Sequence, residues 1–375
     1  MLKRIKSIIW KLIVIIVLIV LLVLVVILRK NQGFAEWWST HIGRWYVTSI
    51  GNLTTHVPFS LTELLFVSLI ALAIFLIIRA IICFVTIRPI KAISKLVSIP
   101  LIALMVVVTY SFACGFNYNR KPVDLPFYEY EVANEEFDEI YNYFVNDLNA
   151  CISQLEFRND GDVKIDVDLP KLSKIVGEAY QIIDSDYYND ITVIAKPMMS
   201  SFLYRELQIT GVSFSALGEA NVNIMSTNAE LPFVIAHELA HIKGVMREDD
   251  ANQVAFYVCL NSDSPLLRFS AYCMYFYQIR NLTKDNLMTD EQLDSLIHYD
   301  NKYAKAVNHM IDYWKKHDLL GKIGDFINDL SIKSNGIDEG SASYGGGTES
   351  SVEPGTGKLN PSKYQRLFFE KYYRA

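Results

Sequence analysis

The sequence predicts a three-span helical membrane anchor followed by a mostly helical α+β domain with a small sheet. Three observations carry that prediction. Apolar runs occupy residues 8–28, 61–87 and 93–116, near the roughly 20 residues that cross a bilayer. From residue 117 the composition turns mixed and polar, and helical periodicity dominates. Two short alternating stretches then precede the motif HELAH at residues 237–241.

The anchor comes first, over residues 1–116. Mean hydropathy is +0.19, and only 20% of the 375 residues are charged, low for a soluble chain. The first run is almost unbroken aliphatic sequence and ends in ILRKNQGF. A cleaved signal peptide has an apolar core of about 7–15 residues and a small-residue cleavage site, so this run is an uncleaved span. Arg79 interrupts the second run, and Pro100 inside the third can kink it, which membrane helices tolerate. The N-terminus carries Lys3, Arg4, Lys6 and Lys11, and the second connection carries Arg88, Lys91 and Lys95, with Arg79 near its start. The longer first connection, about 29–60, carries Arg29, Lys30 and Arg44. The positive-inside rule then puts the N-terminus in the cytoplasm and everything after residue 117 outside, in a multi-pass cell-membrane protein. Trp37, Trp38, Trp45 and Tyr46 form an outer interfacial belt or pack between helices.

The net charge is −6 and no Lys/Arg-rich arm is present, so a nucleic-acid partner is not expected. The five cysteines are Cys83, Cys114, Cys151, Cys259 and Cys273, without a CxxC pair. That argues against a disulfide framework. A Cys259–Cys273 bridge is the one pairing considered, and buried thiols are the preferred reading.

In the domain over 117–332, helices are expected at 131–155 and 169–187, and a strand at 191–198 ending before Pro197. A hairpin is expected within 207–226, where Gly211 and Gly218 interrupt the alternation. The HELAH helix starts near Pro232, a favoured first-turn residue. Helices follow at about 247–261, 264–282, 290–316 and 320–332. Residues 333–360 are rich in Gly and Ser and read as flexible, and the aromatic tail 361–375 docks as a helix.

On a helix, His237 and His241 leave the same face one turn apart. Two neutral imidazoles so placed can reach one metal at about 2 Å. Glu238 leans aside from the pair, where it can act as base toward an activated water. The flanks at 233–236, 239, 240 and 242 are uncharged, as a buried metal helix requires; Lys243 is expected to reach solvent. HExxH alone is a loose pattern that chance supplies often, so a third ligand matters. Gly244 lets the chain leave the helix, and Glu248 lies on the apolar face of the next one with Ala251, Ala255 and Val258. Glu248 is therefore the expected third ligand, Asp249 the reserve, and Asp249 and Asp250 otherwise interact with the helix dipole. Asn252, one turn on, is expected to hydrogen-bond a ligand. Residues 220–226 are expected to form the strand next to the metal, either an edge that pairs with substrate or an internal hairpin strand.

The blocks GEANVN (218–223), LPFVIAHELAHIKG (231–244), REDDAN (247–252) and NGIDEGSASYG (335–345) resemble the DUF3810 family of bacterial membrane proteins. The pattern is also similar to that of the glutamate-zincins, HExxH followed by ExxxD, with Asn252 where an aspartate is commoner. The resemblance implies a zincin-like domain and a zinc-dependent peptidase. His237, His241 and Glu248 would bind Zn²⁺, Glu238 would be general base, and a peptide or protein would be substrate. A further oxyanion donor is sought among His298, His309, Tyr303 and Tyr344. The rival expectation is a membrane sensor or binding protein with a structural or vestigial zinc site.

Overall fold

A computed structural model describes residues 2–133, 136–183, 191–275, 278, 298–352 and 358–374. The chain folds as two compact units: Met1–Lys121 with Phe214–Glu219, and Pro122–Ser213 with Ala220–Ala375.

The first unit contains α1 (Leu2–Leu28), α2 (Gln32–Trp38), α3 (Arg44–Thr54), α4 (Leu61–Val85), α5 (Pro89–Leu96) and α6 (Ser98–Tyr110). Three stretches are long and apolar enough to cross a membrane: Leu2–Leu28, Leu61–Val85 and Pro89–Asn119. Their side chains point largely outward, as with Ile16 and Ile70, each 60% exposed. Water would make such a surface costly and hydrocarbon would not. The third stretch is two helices that meet at Val97, with Pro100 in the first turn of the second. The first connection, read from the sequence only as a loop, contains α2 and α3. The four aromatics there divide: Trp38 stacks on Phe116 at 4.8 Å and the Tyr46 hydroxyl donates to the Ala216 carbonyl, while Trp37 and Trp45 are 48% and 69% exposed.

Two polar devices hold this unit. The Lys11 ammonium donates to Ser94 O (2.7 Å), Ser94 Oγ (3.1 Å) and Ser98 Oγ (2.7 Å), tying α1 to α5 and α6. Glu219, brought in by the turn Phe214–Glu219, accepts from Thr62 N (2.8 Å), Thr62 Oγ1 (2.7 Å) and Leu61 N (3.3 Å). It thereby caps the otherwise unpaired amides at the start of α4. Gly218 has φ +60°, and a Cβ there would lie 2.6 Å from the backbone nitrogen of Gly51, so only glycine fits both the turn and the approach.

The second unit contains α7 (Phe137–Ile152), α8 (Leu169–Ala179), β1 (Lys196–Pro197), α9 (Ser201–Glu206), β2 (Gly211–Phe214) and β3 (Glu219–Val222). Phe214 and Glu219, at the inner ends of the last two strands, belong to the first unit. Then come α10 (Leu231–Ile242), α11 (Glu248–Leu260), α12 (Pro265–Met274), α13 (Asn301–Lys316), α14 (Gly321–Ser334), β4 (Ser351–Val352), β5 (Leu359–Asn360) and α15 (Lys363–Arg374). Parts of the helices expected at 131–155, 169–187, 264–282 and 290–316 lie outside the described residues. The strand expected to stop before Pro197 includes it: β1 pairs parallel with β3 as Lys196↔Asn221 and Pro197↔Val222. Proline is tolerated because the sheet order β1-β3-β2 leaves β1 at an edge. The region 333–360 has more structure than its composition suggests. Gly340–Gly345 is a 3₁₀ turn, and β4 pairs antiparallel with β5.

Helix α10 packs against α8, α11 and α12, and every residue from Pro232 to Ile242 is buried. Its entry turn is held from two directions, and its Phe233 N donates to Ser270 Oγ at 3.2 Å. The Asp162 carboxylate accepts from Asn228 N (2.8 Å) and Ala229 N (3.0 Å). Thr227 N and Oγ1 donate to Glu230 Oε1 at 2.8 and 2.9 Å. Trp314 Nε1 also donates to both Glu230 oxygens at 2.9 Å.

Burial pushes the Glu230 carboxyl up to about 7, against the pull of Trp314 and Thr227. A raised folded-state pKa favours the protonated form. The stabilisation is therefore complete below the unfolded value, near pH 4.3, and is lost as pH rises to about 7. Glu230→Gln removes this loss. The thermal midpoint of the variant minus that of wild type is expected to grow from pH 5 to pH 8, by the equivalent of at most about 3 kcal/mol.

Candidate metal centre

His237 and His241 lie on the buried face of α10, and their Nε2 atoms are 3.0 Å apart. Glu248, the first residue of α11, sends Oε2 to 3.2 Å from His237 Nε2 and 3.3 Å from His241 Nε2. These three residues form a group able to hold a metal ion. The sequence reading of Glu248 over its two neighbours thus has a geometric counterpart. Asp249 and Asp250 instead face Arg247, at 3.4 and 3.6 Å. The Cβ of Asp249 also sits where a side chain on Gly346 would go, at 2.5 Å. Asp249, the reserve, is not one of the three residues that meet here.

The turn between the two helices orients His241. Gly244 has φ +88°. Gly244 N donates to His241 O (3.0 Å) and Val245 N to Ala240 O (3.0 Å). This is a Schellman closure, with glycine at the left-handed position. It brings the Val245 carbonyl back to 2.8 Å from His241 Nδ1. A carbonyl only accepts, so the His241 ring proton sits on Nδ1 and the Nε2 lone pair faces Glu248. In the neutral ring His241 Nε2 and Glu248 Oε2 are both acceptors, so without a metal a second proton on His241 is drawn between them, and His237 Nδ1 is buried without a hydrogen-bond partner. A cation at the meeting point satisfies all three atoms, and two imidazoles with a carboxylate make a zinc-type donor set. The electrostatics agree with a place that favours positive charge. Burial opposes charge on His241, but Glu248 overcomes it and holds the imidazole up at about 9. Burial likewise opposes charge on Glu248, yet the two histidines hold its carboxyl well below the usual range.

Glu238 is 4% exposed and is held from the sheet. Ser213 Oγ on β2 lies 2.7 Å from Glu238 Oε2 and 2.8 Å from the Glu238 carbonyl, so its single proton is shared between them. Gly211, also on β2, passes so close that a Cβ would fall 2.2 Å from Glu238 Oε1. Burial pushes the Glu238 carboxyl up, partly offset by the two imidazoles and Ser213. The strand beside this carboxylate is therefore β2, at the opposite edge of the sheet from β1 among the described residues. Strand β3, expected to flank the metal as an edge or as an internal strand, is the internal one and is buried along its length.

Other expectations are corrected. Asn252 donates to the Tyr344 backbone carbonyl at 3.3 Å rather than to a ligand side chain. Lys243 is 3% exposed instead of reaching solvent. Its ammonium donates to the Ile191 carbonyl at 2.8 Å and stands over the Tyr180 ring. Burial pushes it down to about 8. Tyr303 is fully buried and donates to the Tyr272 carbonyl, far from any role as a free donor. His298 offers its carbonyl to Asn149, and His309 stacks on Tyr313. Of the four donor candidates, Tyr344 is the one at the centre. Its ring stacks on His237 at 6.3 Å and 25°. Burial, with Glu248 and Glu238 nearby, pushes its phenol well up. The cysteines follow the preferred reading: all five are free and buried.

Ser213 and Val245 escaped sequence reasoning because a serine in a strand and a backbone carbonyl carry no signature. Gly211 did carry one, since an isolated glycine in a strand marks a close approach.

The chain belongs to the family described as "Protein of unknown function (DUF3810)", whose profile matches residues 38–349. That range includes every residue of the centre and omits the first apolar helix. No curated protein and no solved structure matches the chain.

Gly244→Ala forces a left-handed alanine, at a cost of about 1–2 kcal/mol, and loosens the hold of Val245 on His241. The expected result is a lowered thermal midpoint of the metal-free protein. Zinc affinity should also fall about tenfold or more, measured by competition with a chromophoric chelator.

Proposed function

We propose that this DUF3810 member is a membrane-anchored, zinc-dependent metallopeptidase whose second unit is a zincin-like catalytic domain. One observation carries the reading. Two imidazole nitrogens and a carboxylate oxygen meet within 3.3 Å, next to a buried carboxylate on the same helix that is not one of the three.

His237, His241 and Glu248 would hold Zn²⁺, which when bound supplies Lewis-acid activation of water and of a scissile carbonyl. Glu238 takes the proton of the attacking water and delivers it to the leaving amine nitrogen. Its elevated proton affinity in the buried site suits a group that must both accept and release a proton. Ser213 and Gly211 fix its carboxylate from β2. That strand offers its edge to an extended peptide, with main-chain pairing giving affinity independent of side chains. Tyr344, stacked beside His237, is the phenol best placed to donate to the developing oxyanion.

The basic residues in the first turns of α1 (Lys3, Arg4, Lys6, Lys11) and those at and within α5 (Arg88, Lys91, Lys95) favour a cytoplasmic N-terminus, which puts the catalytic unit outside the cytoplasm. A periplasmic-active reporter fused after Ala375 should be active, and a cytoplasmic-active one silent. The opposite pattern would reverse the topology.

The catalytic reading is tested on the purified full-length chain. His237→Ala should abolish stoichiometric zinc, and Glu248→Gln should weaken it at least tenfold, whereas Asp249→Asn should leave it unchanged. Glu238→Gln should retain zinc and lose at least about a thousandfold in peptide hydrolysis, in line with loss of a general acid–base. Tyr344→Phe should lower kcat about tenfold to a hundredfold with little change in KM. Zinc bound tightly with no cleavage across a broad peptide library would reject the peptidase and leave a sensor.

A further inference from the structure

One end of the first unit concentrates positive charge in a way the peptidase reading does not use. A cavity of about 520 Å³ is lined by Lys3, Arg4 and Lys11 of α1, Arg79 of α4, and Arg88, Lys91 and Lys95 around α5. No acidic residue lines it, and among the described residues no carboxylate forms an ion pair with any of the seven. The positive-inside bias explains why basic residues occur in these loops. It does not explain why they converge on one concave space. Nor does it explain Arg79, which stands within an apolar helix where a charged side chain is costly and marks function.

The seven are not equivalent. All three Lys11 protons are engaged by Ser94 and Ser98, so Lys11 supplies potential but no free donor. Arg4, Arg79 and Arg88 are exposed, and their planar donor forks suit phosphate oxygens. Serine and threonine hydroxyls complete the lining, Ser7 and Thr86 among them.

The cavity does not end in polar surface. Leu76 lines it and also lines a second cavity of about 330 Å³, bounded entirely by apolar side chains of α4 and α6, such as Phe66, Ile102 and Val106. A polyvalent basic pocket and an apolar groove along the flanks of α4 and α6 thus meet at a shared lining residue, Leu76. We propose that this is a binding site for an anionic phospholipid, with the phosphate headgroup among Arg4, Arg79 and Arg88 and an acyl chain laid along α4 and α6 past Leu76. The proposal depends on the spans lying in a bilayer and is independent of the zinc centre.

The test uses the full-length chain, delipidated in zwitterionic detergent and titrated with fluorescent phosphatidylglycerol, phosphatidylcholine, and free glycerol 3-phosphate as competitor. Phosphatidylglycerol should bind saturably and at least tenfold more tightly than phosphatidylcholine. Changing Arg4, Arg79 and Arg88 together to Gln should weaken it about a hundredfold, at roughly fivefold per charge. The same charge change placed outside the cavity, at Arg29, Lys30 and Lys121, should leave it unchanged. Leu76→Trp fills the junction and should weaken the lipid about tenfold without altering competition by glycerol 3-phosphate. Equal binding of the two lipids, or equal losses in the two triple variants, would overturn the site. Glycerol 3-phosphate competing as tightly as the lipid, with Leu76→Trp silent, would overturn the lipid assignment in favour of a soluble phosphate.

Discussion

The second unit is organised around one electrostatic demand. His241 Nε2 and Glu248 Oε2 are buried acceptors 3.3 Å apart, with His237 Nε2 as the third corner. Buried acceptors without donors are costly, so the group attracts positive charge, a second proton on His241 or a bound cation, and its scaffold has to be stiff enough to keep the three atoms from relaxing apart. The neighbouring structure supplies that stiffness. The left-handed Gly244 closes α10 and starts α11 on a course that delivers Glu248. The same turn sends back the Val245 carbonyl that orients His241. Two tasks, ligand delivery and tautomer choice, rest on one backbone conformation.

The rigidity extends along α10. The helix is buried on all sides, so its end groups cannot rely on water. Ser270 meets that need at the N-terminus by accepting from Phe233 N, with Asp162 and Glu230 holding the turn that precedes it, and the Schellman turn meets it at the other end. Midway, Tyr180 donates to the Ala236 carbonyl at 2.5 Å, one residue before His237. Burying Glu230 as well as Asp162 beside one helix end has a cost in proton affinity. That cost is the physical root of a pH sensitivity situated two turns from the centre.

Part of this was legible in the sequence and part was not, for identifiable reasons. The histidine pair, Gly244 and the choice of Glu248 follow from periodicity, because local backbone geometry alone fixes which faces they occupy. The three apolar stretches were equally plain, since a run of that length and composition needs no tertiary context to be read as long and apolar enough to cross a membrane. What failed depended on distant chain. Lys243 reads as solvent-facing on any helical wheel, but Ile191 and Tyr180 come from elsewhere to bury it. Asn252 points as predicted toward the centre's surroundings, yet Tyr344, 92 residues away, claims its amide. The Gly/Ser-rich composition of 333–360 suggested a free segment. The glycines there instead permit close packing, since any side chain at Gly346 would meet Asp249.

That last point bears on how the centre is enclosed. The 3₁₀ turn Gly340–Gly345 is followed by the Gly346 contact with Asp249, and it sets the Tyr344 ring against His237. The same glycine-rich stretch therefore packs against Asp249 and supplies an aromatic wall to the imidazole. A peptide approaching Glu238 from β2 would meet a backbone edge on one side and a phenol on the other, the two kinds of surface that bind a main chain without reading its side chains.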